Sequence, residues 1–544
     1  MRLTVLAALC AGILLPSSVQ AAEPTPVNQV FQFVANGVAE IQNRGNPGKA
    51  SSYLWIPEQC QKLRGLLILC ANVPEHRLVG HEKIRAVCAA NDLGIVWSTP
   101  SFLLSDTKND KGKWVENLPG STAFLQQQLD ALAKTSGYAE VATVPWLPMG
   151  ESGHLLMVDA LVENRPEKCI AGIWIKNSHL PPKNRTVPAL VVYGSAQEWG
   201  QDKTDIRTKW AEIGKTYDGI LNQRKMHPTW PLSYVLDGHS GHFDVSERLA
   251  AYFAAYIDAI VKARLGADGS LTPVDVTTGF VAALPVPGHE GKPVVPATAA
   301  AALPWFPNQA TAQEAQAFAA INWKAETQLP IYLDEQGQPL PHDFNGIVNF
   351  KALSFEDDQR TFTIRSALAP TIPANFVHAG EKLAQGPEAP TAEWLSGPIE
   401  PLGGNRFRVA LDRTWLGGGA TYIGLRAAGT NQIRGILQPA GVDIRGLRAL
   451  PGAPNKITFE APADVTVGAA PIALTATASS GLPVSFFVVA GPAIVRDGKV
   501  ELTAIPPRTA FPVSVTIGAW QFGRRTEPAV KIADVVQKSF KILR

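Results

Sequence analysis

Short apolar runs alternate with amphipathic stretches between about residues 23 and 267. The apolar runs are bounded by turn residues and predict strands at 53–56, 66–70, 94–97, 170–175, 188–193 and 234–236. The stretches between them predict helices at 82–90, 123–133, 153–162 and 246–263. Strands that alternate with helices build a parallel sheet covered on both faces. The predicted class is therefore α/β, with a doubly wound, mostly parallel sheet in residues 22–267.

The pattern changes after Leu265. Residues 268–303 are rich in Pro and Ala and carry few charges, which predicts a linker. Residues 304–450 alternate apolar and polar positions around one helix-like stretch, which predicts a β-rich, sandwich-like domain with a small helical insertion. Short strands separated by Pro and Gly turns recur through 451–544 and predict a second all-β sandwich.

The last of these segments carries two local signatures. They are a strand entry of sequence Ser-Gly-Leu-Pro-Val at 480–484 and a hairpin turn expected at Asp497-Gly498. Together they resemble bacterial immunoglobulin-like domains. That resemblance implies a module that spaces, anchors or docks, and it implies no chemistry.

Composition narrows the classes of partner. The chain has 544 residues, too many for one core, and its 46% hydrophobic and 18% charged content is typical of folded globular protein. A formal net charge of +2 gives no electrostatic footprint for nucleic acid. We expect a small or polymeric substrate, no nucleic acid and no membrane span, and the oligomeric state stays open.

The N-terminus has the pattern of a secretory signal peptide. Arg2 precedes an apolar stretch at 3–15, and Val19 and Ala21 stand where a signal peptidase reads small residues. The stretch is too short to span a bilayer. We therefore expect cleavage after residue 21 and a periplasmic or secreted protein.

Four cysteines follow the predicted cleavage site, namely Cys60, Cys70, Cys88 and Cys169. In an oxidising compartment they could form one or two disulfides, and three pairings are open. Their spacing matches no zinc motif, so no metal is expected from them.

Ser152 is the candidate nucleophile. It lies between an apolar segment that ends at Gly150 and a stretch, opened by Gly153, that is apolar enough to be a buried helix. A strand, a tight turn and a helix with serine at the tip hold the hydroxyl exposed above a sheet. The alternative is that Ser152 only caps the helix.

A serine hydroxyl needs a base and a carboxylate that orients the base. Glu198 is the first acid after the strand at 188–193, and Asp202 is the alternative. His242 precedes Phe243 and a helix and is favoured as the base over His239. The order serine, acid, histidine is the order of the hydrolase triad.

The oxyanion that forms during acyl transfer also needs donors. We expect the N–H of Gly153 and one from the loop after 66–70, with Asn72 as the nominee. Two other interpretations are weaker. Ser240 could be the tip of a second elbow, but no strand-borne acid and histidine follow it. A metal site at His239, His242 and Asp244 is weaker still, because the two histidines lie on a turn.

Residues 53–263 resemble the α/β-hydrolase family, in its secreted esterase and polyhydroxyalkanoate-depolymerase-like branch. The resemblance rests on the segments 145–154, 191–194 and 241–243. This sequence departs from the family pattern at His154, where a small residue is usual. It also has Pro145 and Pro148, which interrupt ladder bonding in a central strand.

The resemblance implies a serine carboxyl-ester hydrolase that works through a Ser-His-acid triad and an acyl-enzyme without a cofactor. A signal peptide followed by β-domains favours an extracellular polymer, with esterified polysaccharide as the first candidate substrate. The competing hypothesis is a catalytically inactive hydrolase-fold protein that binds a surface or a carbohydrate, because fold does not fix function.

Overall fold

The computed structural model describes residues 30–43, 46–102, 107–112, 114–115, 117–176, 184–195, 210–238, 240–298, 302–343, 346–350, 353–417, 420–449 and 451–544. The predicted signal peptide and three candidate site residues, Glu198, Asp202 and His239, lie outside these ranges.

A mixed eight-stranded sheet forms the first part of the chain. Its strands and the small β5–β6 hairpin are β1 (Phe33–Asn43), β2 (Asn46–Trp55), β3 (Gly65–Cys70), β4 (Leu93–Thr99), β5 (Thr107–Lys108), β6 (Trp114–Val115), β7 (Trp146–Glu151), β8 (Gly172–Ile175), β9 (Ala189–Gly194) and β10 (Leu232–Asp237). The strand order is β1-β2-β4-β3-β7-β8-β9-β10. β1 and β2 pair antiparallel, and the six strands from β4 to β10 in this order are parallel.

Helices connect the parallel strands. They are α1 (Val73–Leu78), α2 (Glu82–Ala90), α3 (Leu118–Ser136), α4 (Leu155–Asn164), α5 (Trp210–Met226) and α6 (Glu247–Arg264). All residues of the strands β3, β4, β7, β8, β9 and β10 are buried. Burial on both faces explains why these strands are almost continuously apolar in sequence.

The segment predicted as a linker contains regular structure. A three-stranded sheet is built from β11 (Phe280–Ala283), β12 (Lys292–Pro296) and β13 (Trp305–Phe306), and α7 (Gln309–Ala319) follows it. Val281, Trp305 and Phe318 belong to the same apolar core as the large sheet. Of these three residues only Val281 lies within 268–303, and the assignment of that segment as a linker stays a prediction.

The second β region, residues 326–449, consists of three small sheets. A four-stranded sheet has the order β15-β22-β21-β18, a three-stranded sheet has the order β16-β20-β19, and β14 pairs with β17. The elements are β14 (Pro330–Leu333), β15 (Val348–Phe350), β16 (Thr361–Thr363), β17 (Arg365–Leu368), β18 (Thr391–Ser396), β19 (Ile399–Gly403), β20 (Arg406–Val409), α8 (Arg413–Gly417), β21 (Tyr422–Ala427) and β22 (Ile436–Val442).

The third β region, residues 451–544, also forms small sheets. Their strand orders are β24-β31-β30-β27, β25-β29-β28 and β23-β26. Its strands are β23 (Ile457–Phe459), β24 (Val465–Thr466), β25 (Ile472–Ala473), β26 (Ala476–Ala478), β27 (Ser485–Ala490), β28 (Ala493–Arg496), β29 (Lys499–Leu502), β30 (Val513–Trp520) and β31 (Val536–Leu543). The predicted hairpin turn is confirmed, since Asp497 and Gly498 have φ of 49° and 71° and join the antiparallel strands β28 and β29. The immunoglobulin-like assignment stays a prediction.

The four cysteines form no disulfide in this structure. Cys60, Cys70, Cys88 and Cys169 are all free and buried. Burial raises the pKa of each thiol from 9.0 to about 12. In the part of the chain that the structure describes, no helix combines the length and apolar character needed to cross a bilayer.

Candidate active site

The candidate residues gather at one edge of the large sheet. Asn72 follows β3, Ser152 follows β7, and His242 lies in the loop after β10. These strands are parallel, so their carboxyl ends lie at the same edge. In open α/β sheets this is the edge where ligands bind.

Ser152 sits on a strained turn between β7 and α4. Its φ is 53°, a left-handed conformation that non-glycine side chains seldom adopt. Gly150 makes the turn possible, because a Cβ there would lie 2.5 Å from the carbonyl oxygen of His154. Gly153 is exposed, and a Cβ there would meet nothing within 4 Å. This is the strand–turn–helix geometry expected for an elbow that presents its serine.

His242 lies within hydrogen-bond distance of the serine. Its Nε2 is 2.8 Å from Ser152 Oγ, and the histidine is 5% exposed. Its ring packs edge-on against Phe243, with 4.9 Å between the ring centroids. The pair has the distance that a base requires to take the proton of a hydroxyl nucleophile.

Glu151 is a member of the site that the sequence interpretation left out. It is fully buried, and its Oε1 lies 3.1 Å from His242 Nε2. Its Oε2 accepts a hydrogen bond of 2.5 Å from Asn72 Nδ2. The only sequence signal is its position directly before the candidate nucleophile, which does not fix the direction of its side chain.

Glu75, on α1, contacts the backbone of the elbow. The fully buried carboxylate accepts a hydrogen bond of 2.7 Å from the backbone N–H of Glu151. The same Oε1 lies 3.7 Å from Nδ1 of His154, the residue that departs from the family pattern. His154 therefore points at a carboxylate beside the elbow.

The loop after β3 turns its amide side chain toward the elbow. Asn72 Nδ2 also donates to the carbonyl oxygen of Glu151, at 3.2 Å. The side chain thus holds Glu151, while the nomination of this loop as an oxyanion donor stays a prediction. His76, four residues further on, is buried and accepts a hydrogen bond of 3.1 Å from the N–H of Gly397 in the second β region.

The other candidates have different surroundings. Glu198, Asp202 and His239 lie outside the described residues. Ser240 is 2% exposed, and its hydroxyl accepts a hydrogen bond from the buried ammonium of Lys176. Asp244 forms an ion pair with Arg426, and among the described residues no group of three His, Cys, Asp or Glu side chains is arranged to hold a metal ion.

Tyr422 brings the second β region to the rim of the site. Its ring lies 5.3 Å from that of Phe243, centroid to centroid. Burial raises the pKa of Tyr422, and the nearby carboxylates of Asp343 and Glu151 raise it further. The phenol of this strand therefore lies close to the carboxylate that contacts His242.

No protein-family model matches the chain, and no curated protein matches it. Three of the similar solved structures are hydrolases. The poly(3-hydroxybutyrate) depolymerase from Bordetella parapertussis is 12% identical, with 44% of this chain and 92% of that chain covered and a TM-score of 0.28. The hyperthermophilic esterase from Pyrobaculum calidifontis is 13% identical, with 43% and 86% covered and a TM-score of 0.26. Poly(aspartic acid) hydrolase-1 from Sphingomonas sp. KT-1 is 10% identical, with 31% and 73% covered and a TM-score of 0.22.

Proposed function

We propose that this protein is a serine hydrolase of the α/β-hydrolase type that cleaves carboxyl esters through an acyl-enzyme. Ser152 is the nucleophile and His242 is the general base. The observation that carries the proposal is the 2.8 Å contact of Ser152 Oγ with His242 Nε2 at a left-handed turn after a buried parallel strand. A protein that only binds has no need to keep a strained serine against a buried histidine.

In the first half-reaction, Ser152 Oγ attacks the ester carbonyl carbon while His242 Nε2 takes the hydroxyl proton. The N–H of Gly153 and a donor from the Asn72 loop are proposed to stabilise the oxyanion. The tetrahedral intermediate then collapses, the C–O bond to the alcohol breaks, and the imidazolium gives its proton to the departing oxygen. Ser152 is left acylated.

In the second half-reaction, water takes the place of the alcohol. His242 removes a proton from the water, the resulting hydroxide adds to the acyl carbon, and the serine oxygen leaves with the proton returned by His242. The carboxylate of Glu151, 3.1 Å from Nε2, is proposed to stabilise the imidazolium in both half-reactions. Glu198, with Asp202 as alternative, is proposed to orient the histidine from the segment after β9.

The proposal includes the setting of the enzyme. The pattern of residues 1–21 supports export to the periplasm or the medium. Together with the β regions it supports a polymeric substrate, with esterified polysaccharide as the first candidate. The alternative of an inactive binding protein predicts no serine chemistry at all, which makes the two hypotheses separable.

A fluorophosphonate probe tests the proposal directly, because it phosphonylates only an activated serine. The protein beginning at residue 22 is expected to be labelled at Ser152, and Ser152→Ala is expected to abolish labelling while the circular dichroism stays unchanged. The labelled peptide is identified by mass spectrometry. Folded protein that takes no label would reject the proposal, and label on Ser240 would assign the nucleophile to the other elbow.

A further inference from the structure

An ion pair joins the loop of the candidate base to the second β region. Arg426 lies on β21, and its Nη1 and Nη2 contact the two carboxylate oxygens of Asp244 at 3.2 and 2.8 Å. Asp244 is 1% exposed and lies two residues after His242. A two-point bond between a guanidinium and a buried carboxylate fixes orientation as well as distance.

Arg426 is itself held from the side of the sheet. Its Nη2 donates to Glu393 Oε1 at 2.7 Å, and Glu393 lies on the neighbouring strand β18. Burial by itself would lower the pKa of Arg426, but the carboxylates of Asp244 and Glu393 raise it above its usual value. The guanidinium therefore stays charged between a loop of the first region and a strand of the second.

Two further contacts join the first part of the chain to the sheet that contains β18, β21 and β22. Val73, directly after Asn72, packs in a small apolar cluster with Leu395 and Leu437 of β18 and β22. Phe243, between His242 and Asp244, packs on Tyr422 of β21. The start of α1 and the loop after β10 thus both contact the second β region.

We propose that Arg426 is a positioning residue for the hydrolase reaction: through Asp244 it holds the His242 loop at Ser152, so that the second β region completes the active site. The inference rests on the proposed function of Ser152 and His242. It assigns to this region a part in the chemistry, in addition to any part in binding a polymer.

The physical reason is the steepness of proton transfer with distance. His242 Nε2 serves as the base only while it lies at hydrogen-bond distance from Ser152 Oγ, which is now 2.8 Å. A displacement of about 1 Å of a reacting group lowers a rate by about a hundredfold. A loop that has lost its two-point attachment samples such displacements.

Arg426→Gln tests the inference in the full chain. The second-order rate of Ser152 phosphonylation by a small fluorophosphonate, and kcat for a small aryl ester, are expected to fall by about ten- to a hundredfold. KM is expected to change less than about twofold, because Arg426 is proposed to act through the His242 loop and not on the substrate. Glu393→Gln, which leaves both bonds to Asp244, is expected to cause a smaller loss than Arg426→Gln.

Arg406→Gln is the matched control. Arg406 makes a two-point pair with Glu356, at 2.9 and 2.7 Å, on the surface of the second β region, and the variant is expected to keep the native rates. Should Arg426→Gln fail to fold, Asp244→Asn keeps the size of the loop side chain and is expected to lower kcat in the same way. Native labelling rates in folded Arg426→Gln or Asp244→Asn would overturn the inference. Absence of labelling in the unmodified protein would instead overturn the proposed function.

Discussion

Glu151 places a negative charge beside the ring nitrogen that bonds the serine. The carboxylate is buried and is held by Asn72, so it cannot turn away to solvent. In the proposed reaction, once His242 has taken the proton of Ser152, the imidazolium and the carboxylate 3.1 Å away would form a charge-assisted pair.

We therefore expect Glu151→Gln to lower kcat with little change in KM. The amide keeps an oxygen for Asn72 but removes the charge that stabilises the imidazolium, an effect of about 1.5 to 3 kcal/mol, or about ten- to a hundredfold in rate. Steady-state kinetics on a small aryl ester measure it. The exposed Glu82→Gln is the control, and a Glu151→Gln enzyme with native kcat would show that the charge plays no part in the reaction.

Sequence reasoning could nominate residues from local patterns, but it could not reveal contacts between distant segments. The tight turn at Ser152 was predictable because neighbouring residues in the sequence form the strand, the turn and the helix. Glu151 was not, because the direction of its side chain depends on Asn72, whose partner is 79 residues away in sequence. The contact of Arg426 with Asp244 could not be predicted either, since the two residues are 182 positions apart in sequence.

At the scale of elements, the central strand β7 shows how a proline is accommodated in a sheet. Pro148 is the last residue of β7 in register with β3, opposite Ile68. The ladder with β8 begins at the next residue, Met149. β7 thus runs through the proline for six residues despite the missing N–H. Sequence alone gave the proline but not the register.

The elbow between β7 and α4 depends on the absence of a side chain at Gly150. Gly150→Ala places a methyl group 2.5 Å from the carbonyl oxygen of His154, so strand and helix must separate. We expect a loss of about 1 to 3 kcal/mol in the free energy of unfolding. The Ser152 phosphonylation rate is expected to fall as well, because the turn carries the nucleophile. Urea denaturation and the fluorophosphonate assay measure the two effects.

Gly153→Ala is the matched control for stability, since a methyl group there meets open space. Its free energy of unfolding is expected to stay within about 0.5 kcal/mol of the native value, as is usual for surface changes. Equal stability of the two alanine variants would mean that strand and helix are not closely packed at Gly150.

At the scale of the molecule, regions that the sequence divides are joined by shared cores. Phe487, Trp520 and Phe522 of the third β region belong to the same apolar cluster as Tyr332 and Phe407 of the second. The sequence predicted a boundary near residue 451 because Pro and Gly interrupt the pattern there. Composition marks such a break, but it does not reveal which apolar faces meet across it.

Phe522→Ala tests this coupling. Phe522 is 2% exposed and packs edge-on against Phe355 of the second β region, with 5.9 Å between ring centroids. Loss of the ring is expected to lower the free energy of unfolding by about 3 to 5 kcal/mol. Chemical denaturation measures it, with the exposed Leu543→Ala of the same region as control. A loss as small as that of the control would indicate that the two regions pack loosely.

The pieces of the site come from distant parts of the chain, and this has a consequence for how the protein refolds. The contact of Ser152 with His242 closes a span of 90 residues, and that of Asp244 with Arg426 closes one of 182. Contacts of high sequence separation form slowly, because each must overcome the entropy of closing a long loop. Helices and local hairpins can therefore recover well before catalysis does. If the protein has the proposed esterase activity, its return would mark the last closure, and turnover would report complete refolding more strictly than a spectroscopic signal of secondary structure.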